Sequence, residues 1–154
     1  MIIDILGEEI DKKGSTLIIK HSSTLAYSPA YSFFLRQVAE LIDNKHGAPA
    51  MTWTDDQCGI IWAESDGIIY GIFAYTKEAV ERFKILSITL TAVDRQYRER
   101  GVHTILNKYF EETAKNLGCF ITEATVNPNN TVRLATAKKD GLTIKYKNMF
   151  KKVL

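Results

Sequence analysis

A charged turn at residues 98–104 is the part of the sequence whose residue types could bind an anion. A β-type run leads into this turn, and a helical spacing of apolar residues begins at Val102. The first turn of a helix has backbone amides without intrahelical partners, and the helix dipole adds partial positive charge there. Arg98 and Arg100 could neutralise a phosphate, and Gly101 permits a close approach or a positive φ. The turn therefore predicts an anion site that suits a pyrophosphate.

Other chemistry is less supported by the sequence. Neither a GxxxxGK[ST] loop nor a GxGxxG fingerprint is present. With 20 basic and 18 acidic residues the net charge is +2, which does not favour nucleic acid. Cys58 and Cys119 have no CxxC neighbour and no nearby His at metal spacing, so we expect two buried free thiols and no metal site. His21 and His46 also lack ligand spacing and are predicted to lie on the surface or in loops.

Alternating β-type and helical patterns surround the turn and predict one mixed α/β domain. Strands are predicted at 16–20, 58–64, 68–76, 82–93, 120–126 and 142–153, and helices at 28–44, 102–117 and 131–139. Residues 77–81 are predicted to form a short polar helix or turn. Regular alternation along 82–93 would place Leu86, Ile88, Leu90 and Ala92 on one apolar face.

The stretch from 91 to 106, TAVDRQYRERGVHTIL, resembles the acetyl-coenzyme A (CoA) signature of the GNAT acetyltransferase superfamily. That signature is a strand followed by [Arg/Gln]-x-x-Gly-x-[Gly/Ala] at the start of a helix. Arg98 and Gly101 match it, whereas His103 replaces the final small residue.

A second family pattern, Asn-x-x-Ala-x-x-x-Tyr-x-x-x-Gly-Phe, is partly present downstream. Asn130 and Gly141 match their positions, and Leu142 replaces the Phe. Arg133 stands at the offset of the Ala, and Ala137 stands where the family often has a Tyr that protonates the departing thiolate.

The resemblance implies a GNAT-like single domain over residues 1–154, with a mixed, mostly antiparallel sheet that splays at the cofactor strand and is flanked by helices. It implies acetyl-CoA as cosubstrate, with the pantetheine arm along the signature strand and the pyrophosphate on the amides of residues 100–104. The implied cofactor-binding residues are Thr91, Val93, Arg98, Glu99, Arg100, Gly101, Val102, His103, Thr104 and Asn130.

The implied activity is transfer of an acetyl group to a primary amine by direct attack, which needs a base for the incoming ammonium. Glu123 is one candidate base, although a strand residue paired with a nearby Lys is the alternative. Tyr146 is a candidate substitute acid, or otherwise a surface or core aromatic. His103 could donate to a phosphate, obstruct the cofactor or point to solvent.

Two alternatives stay open beside this N-acetyltransferase. One is a GNAT-fold binding or structural module that keeps the CoA pocket but has little catalysis, and the other is a relative that uses a longer acyl-CoA. The acceptor could be a small molecule, a protein or a modified nucleobase. No signal peptide is evident and no apolar stretch approaches the roughly 20 residues that cross a bilayer, so we expect a cytoplasmic protein without a membrane partner. A homodimer is one candidate assembly.

Overall fold

An eight-stranded sheet forms the centre of the structure, a computed structural model that describes residues 2–43, 57–80, 83–125, 130–145 and 148–153. Its spatial order is β1-β2-β3-β4-β5-β6-β8-β7, and among these strands only β5 and β6 pair in parallel. The strands are β1 Ile3–Ile10, β2 Thr16–Ser22, β3 Cys58–Ser65, β4 Ile68–Val80, β5 Phe83–Val93, β6 Ile121–Thr125, β7 Thr143–Lys145 and β8 Asn148–Lys152.

Three α-helices flank the sheet, and two of them cover opposite faces. They are α1 Tyr31–Asp43, α2 Val102–Asn116 and α3 Thr131–Lys139. The apolar stripe of α2 packs on one face with Phe73, Tyr75 and Leu86, because its buried residues recur at helical spacing. Phe33, Phe34 and Val38 of α1 pack on the other face. The central strands of the sheet are therefore covered by helices on both faces, as the predicted α/β class requires.

A β-bulge at Thr89 divides β5 into two halves with opposite orientation. Ala74 of β4 pairs with Leu90 and Tyr75 pairs with Ile88, so Thr89 is the extra residue. As a result Leu86 and Ile88 face α2, whereas Leu90 and Ala92 face α1. The prediction of one continuous apolar face along this strand was therefore wrong, because a single inserted residue reverses the alternation beyond it.

Two strand predictions also need correction. β1 was missed because it is an edge strand in which no residue is buried, so its sequence shows little hydrophobic alternation. Residues 77–80 belong to β4 rather than to a turn or helix, because they continue the ladder with β5 as far as the pair Val80 and Phe83. The C-terminal segment contains two short paired strands rather than one.

His21 is buried on β2, in contrast to its predicted surface or loop position. Its Nδ1 lies 3.3 Å from a carboxylate oxygen of Asp4, and its Nε2 lies 2.6 Å from the Tyr75 hydroxyl. The carboxylate can only accept, so Nδ1 carries the proton and a neutral imidazole accepts from Tyr75 at Nε2. Burial lowers the pKa of His21, although Asp4 opposes this, and burial raises the pKa of Tyr75.

Candidate functional site

An opening in the sheet begins where β5 and β6 stop pairing. The parallel ladder runs from Ile85 and Ile121 to Ile88 and Ala124, but β5 continues to Val93. Among the described residues no strand pairs with positions 89–93 on this edge. Backbone amides and carbonyls there can therefore accept a ligand that is itself extended and polar. Thr91 and Val93, which were predicted to line the pantetheine arm, both lie on this part of β5.

The turn after β5 presents the start of α2 as an anion site. Gly101 is the N-cap residue, with φ +84° and no side-chain hydrogen bond to the helix, and Glu99 before it also has a positive φ of 64°. The first intrahelical bond runs from the Ile105 amide to the Gly101 carbonyl. The amides of Val102, His103 and Thr104 therefore have no partner within the helix, which is the condition for binding a phosphate.

The residues of this turn differ in what their side chains contribute. Val102 is buried in the core, so only its backbone can reach a ligand. Thr104, Glu99 and Arg98 are exposed. The Arg98 Nε donates to the Val93 carbonyl at 3.1 Å, which holds this guanidinium between the end of β5 and the start of α2. The role of Arg98 in neutralising a phosphate stays a prediction.

Arg100, in contrast, points away from the helix start and into the β1–β2 hairpin. Its Nη1 lies 3.4 Å from Asp11, and its guanidinium lies over the rings of Tyr70 and Tyr97. The prediction that its side chain neutralises a pyrophosphate therefore needs correction, because the charge is already paired with a buried carboxylate. Burial raises the pKa of Asp11, but the backbone amides of Ser15 and Lys13 together with Arg100 lower it below its ordinary value.

The same hairpin supplies a cation that sequence reasoning missed. The Lys12 amide donates to the Arg100 carbonyl at 3.0 Å, and the Lys12 side chain passes over Gly101. A Cβ added at Gly101 would meet Lys12 Cε at 3.5 Å. No pattern near position 12 indicates this placement, because residues about ninety positions apart are brought together only by the fold.

His103 neither points to solvent nor remains free for a phosphate. Its Nε2 lies 2.7 Å from Asp140 at the end of α3, and its ring contacts that of Phe73 beneath α2. Since a carboxylate only accepts hydrogen bonds, Nε2 must carry the proton. The three options left open for His103 are thus replaced by a fourth, a link between α2 and α3.

Asn130 and Arg133 lie at the start of α3. The Asn130 side-chain oxygen caps the helix by accepting from the Arg133 amide at 3.1 Å, so helix capping accounts for this oxygen. The Arg133 guanidinium is buried near Asp140, and neither of its terminal nitrogens has a hydrogen-bond partner among the described residues. Asp140 is the charge partner of Arg133, a residue to which the sequence analysis had assigned no role.

Glu123 lies on the opposite face of the sheet from α2, beside the opening. Its carboxylate is 2.9 Å from the Ser87 hydroxyl, and Glu78 of β4 is 2.9 Å from the same oxygen. The predicted alternative of pairing with a Lys is replaced by this Glu78–Ser87–Glu123 cluster. Glu78 was not a candidate, because its segment was predicted to be a turn. Tyr146, the candidate acid, lies outside the described residues.

The chain is similar to known acetyltransferases in sequence pattern and in fold. A family model described as the acetyltransferase (GNAT) family matches residues 25–141. The GNAT domain of S. lividans PAT superposes with a TM-score of 0.71 at 15% identity, covering 95% of this chain and 96% of that one. A GNAT acetyltransferase from Streptococcus pneumoniae gives 0.64 at 17%, covering 88% and 98%.

An aminoglycoside acetyltransferase from an uncultured soil metagenomic sample gives a TM-score of 0.66 at 12% identity, covering 84% of this chain and 90% of that one. At such identities these structures show the shared fold alone. No curated protein sequence gave a significant match.

Three observations concern the thiols, a metal site and a membrane span. Both Cys58 and Cys119 are buried free thiols, as predicted. In the part of the chain that the structure describes, no group of three or more His, Cys, Asp or Glu side chains could hold a metal ion. None of the helices in that same part is both long and apolar enough to cross a bilayer.

Proposed function

The chain belongs to the GNAT acetyltransferase family, and on that premise we propose that it transfers an acetyl group from acetyl-CoA to a primary amine. The observation that carries the proposal is the end of the β5–β6 ladder. Glu123 pairs with Ser87 one position before the last pair, Ile88 and Ala124. A carboxylate that could serve as base therefore lies next to the gap through which the donor would reach the acceptor.

The start of α2 and the open edge of β5 are the groups that would hold the donor. The free amides of residues 102–104, with exposed Arg98, suit the pyrophosphate, and the backbone of Thr91 and Val93 suits the amide-containing arm. Acetyl-CoA supplies the acetyl group as a thioester. What the protein adds is alignment of donor and acceptor across the sheet, which alone lowers the barrier substantially.

The Glu78–Ser87–Glu123 cluster would bind the acceptor and take its proton. Ser87 has one hydroxyl proton, so it can satisfy only one of the two carboxylates at a time. The other keeps lone pairs directed at its surroundings, which attracts an ammonium group and allows it to lose a proton before attack. The same arrangement favours a cationic amine over a neutral one.

A second candidate function, a CoA-binding module with little turnover, is favoured by Ala137. This residue stands where the family often has its proton-donating Tyr, and it is completely buried and has no proton to give. Binding would then be retained while departure of the thiolate goes unassisted.

Calorimetry with acetyl-CoA followed by a turnover assay separates these candidates. The amine panel should include polyamines, a lysine peptide and an aminoglycoside. The aminoglycoside is included because one structural neighbour is an aminoglycoside acetyltransferase. Released CoA thiol can be followed directly, since Cys58 and Cys119 are buried. No binding at millimolar acetyl-CoA contradicts both candidates, and binding without turnover on any amine supports the second. If a longer acyl-CoA binds more tightly than acetyl-CoA, the longer acyl-CoA is the donor rather than acetyl-CoA.

Glu123→Gln tests the base within this scheme. General-base catalysis contributes about 10²- to 10⁴-fold, so we expect a loss of kcat of that order with unchanged acetyl-CoA affinity. Glu78→Gln and the double variant show whether the two carboxylates substitute for each other. Glu112→Gln, an exposed charge change on α2, is the matched control. A Glu123→Gln variant with full activity, alone and combined with Glu78→Gln, contradicts the assignment.

A further inference from the structure

A threonine side chain lies at the place where the sheet opens. Thr89 is the extra residue of the β5 bulge, and it directly follows Ile88, the last residue of β5 that pairs with β6. It is half-buried, so part of its surface is accessible to a ligand. A bulge changes the direction of a side chain and is common next to active sites. This bulge therefore brings a hydroxyl to the first position of the open edge.

The Thr89 hydroxyl lies on the same face of the sheet as the candidate base. Its Oγ1 is 3.2 Å from the Oγ1 of Thr76 on β4. Thr76 pairs with Ser87 across the β4–β5 ladder, and the side chains of directly paired residues project from the same face. Ser87 in turn donates to Glu123. Thr89 is therefore next to the open edge and on the face from which Glu123 would act.

A second contact of Thr76 bears on the direction of its hydrogen bond with Thr89. The Cys58 sulfur lies 3.8 Å from the Thr76 oxygen. Sulfur is a weak acceptor, so of these two neighbours the Thr89 oxygen is the better acceptor for the Thr76 proton. When Thr76 donates in this way, Thr89 keeps its own proton and one lone pair for a substrate.

Attack of an ammonium group on a thioester requires the nitrogen to lose two protons. The base takes the first proton, and the neutral amine then attacks the carbonyl carbon. Once the N–C bond has formed, the nitrogen carries a positive charge and the sulfur must leave as a thiolate, which takes up a proton. A hydroxyl next to both atoms can accept the proton of the nitrogen while it gives its own proton to the sulfur.

We propose that Thr89 is a catalytic residue that relays this second proton from the acceptor nitrogen to the sulfur of CoA, and that Thr76 is the positioning residue for its hydroxyl. The C–S bond breaks with its electron pair on sulfur, and Thr89 is unchanged after each turnover. This inference rests on the proposed function. The relay also supplies the proton that Ala137 cannot give.

Removal of the hydroxyl tests the relay. Thr89→Val keeps the shape of the side chain, and its turnover is measured with acetyl-CoA and the acceptor that the amine panel identifies. We expect kcat to fall about 10²-fold, at the lower end of the range for proton transfer by a side chain, because water partly replaces the hydroxyl. Acetyl-CoA affinity in calorimetry and the unfolding temperature should not change. Thr89→Ser keeps a hydroxyl and should retain most of the activity.

A double variant tests the role of Thr76. Thr76→Val should lower kcat less than Thr89→Val does, since it removes only the group that orients the relay. The double variant should be no slower than Thr89→Val alone, because residues that act as a unit do not have additive effects. Thr136→Val is the control. It removes a hydroxyl of α3 that donates to the Val132 carbonyl, and it should keep full activity.

The other results overturn the inference in different ways. Full activity of Thr89→Val beside an impaired Glu123→Gln would refute the relay and leave the proposed function standing. An equal loss in Thr89→Val and Thr89→Ser, or weaker binding of acetyl-CoA, would show that Thr89 acts through packing or binding instead. Additive losses in the double variant would refute the positioning role of Thr76. If the wild type transfers an acetyl group to no amine, the proposed function and this inference fail together.

Discussion

Arg98 and Arg100 are two positions apart in one turn, yet we expect their replacement by Met to have opposite effects. The Arg100 side chain is 16% exposed and pairs with Asp11, whose side chain is completely buried. Arg98 is exposed, and its Nε donates to the Val93 carbonyl at the end of β5. Arg100→Met should therefore reduce stability and affect CoA binding little, whereas Arg98→Met should reduce CoA affinity and affect stability little.

The size of the stability effect follows from the contacts of Asp11. Removing one partner of a buried ion pair costs about 3–5 kcal/mol. Asp11 keeps its hydrogen bonds from the amides of Lys13 and Ser15, at 2.9 and 2.8 Å, and its 3.4 Å contact with Arg100 is long. We therefore expect about 2–3 kcal/mol for Arg100→Met, below the range for an uncompensated pair. That lowers Tm by about 4–12 °C for a domain of this size.

Thermal and urea unfolding, followed by calorimetry with CoA at a temperature where every variant is folded, measure both effects. Arg98→Met should change the free energy of unfolding by no more than about 0.5 kcal/mol, as for exposed sites. Arg98→Met should weaken the binding of CoA about tenfold, as expected for the loss of one charge-assisted contact. Arg95→Met, exposed in the turn just before, is the control. The reasoning is refuted if Arg100→Met unfolds like the wild type while losing more CoA affinity than Arg98→Met.

Two further predictions concern the core. Because burial lowers the pKa of His21, the unfolded chain binds more protons below about pH 6.5 and stability should fall as the pH drops through the interval down to the folded-state pKa. Urea unfolding measures the free energy of unfolding, and His21→Gln should reduce its decline between pH 7 and pH 5. An unchanged slope would show that other groups cause the decline. In Gly71→Ala the new Cβ would lie 3.0 Å from the Ala92 carbonyl and 3.1 Å from Val102 beneath α2. We expect a loss of about 1–3 kcal/mol in the free energy of unfolding, and a variant as stable as the wild type would show that α2 can shift at no cost.

Local signals in the sequence were sufficient for most elements and for the backbone of the turn at residues 98–104. The helix predicted at 131–139 has the observed limits, and the helix predicted at 102–117 is observed as Val102–Asn116. Periodicity, capping residues and a glycine after each helix act over a few residues, so they can be read along the chain. The positive φ at Gly101 belongs to the same class of local information, as does the open start of α2.

Side-chain directions, in contrast, were decided by contacts across the fold. Arg100 was predicted to face a phosphate, but Asp11 and two tyrosine rings provide a partner that is far away in sequence. The bulge at Thr89 reversed the outer half of β5, and its position depends on the register with β4. Glu78 joined Glu123 for the same reason, because strand pairing brings one carboxylate 9 positions and another 36 positions from Ser87 to the same hydroxyl.

The turn at residues 98–104 shows the division most clearly. Its backbone conformation follows from Gly101 and from the helix pattern that begins at Val102, both of which are properties of adjacent residues. Which cations surround it depends on the β1–β2 hairpin, which brings Lys12 close and pairs Arg100 with Asp11. A long flexible side chain can reach any neighbour within several ångströms, so the partner of each charge is chosen by the tertiary structure.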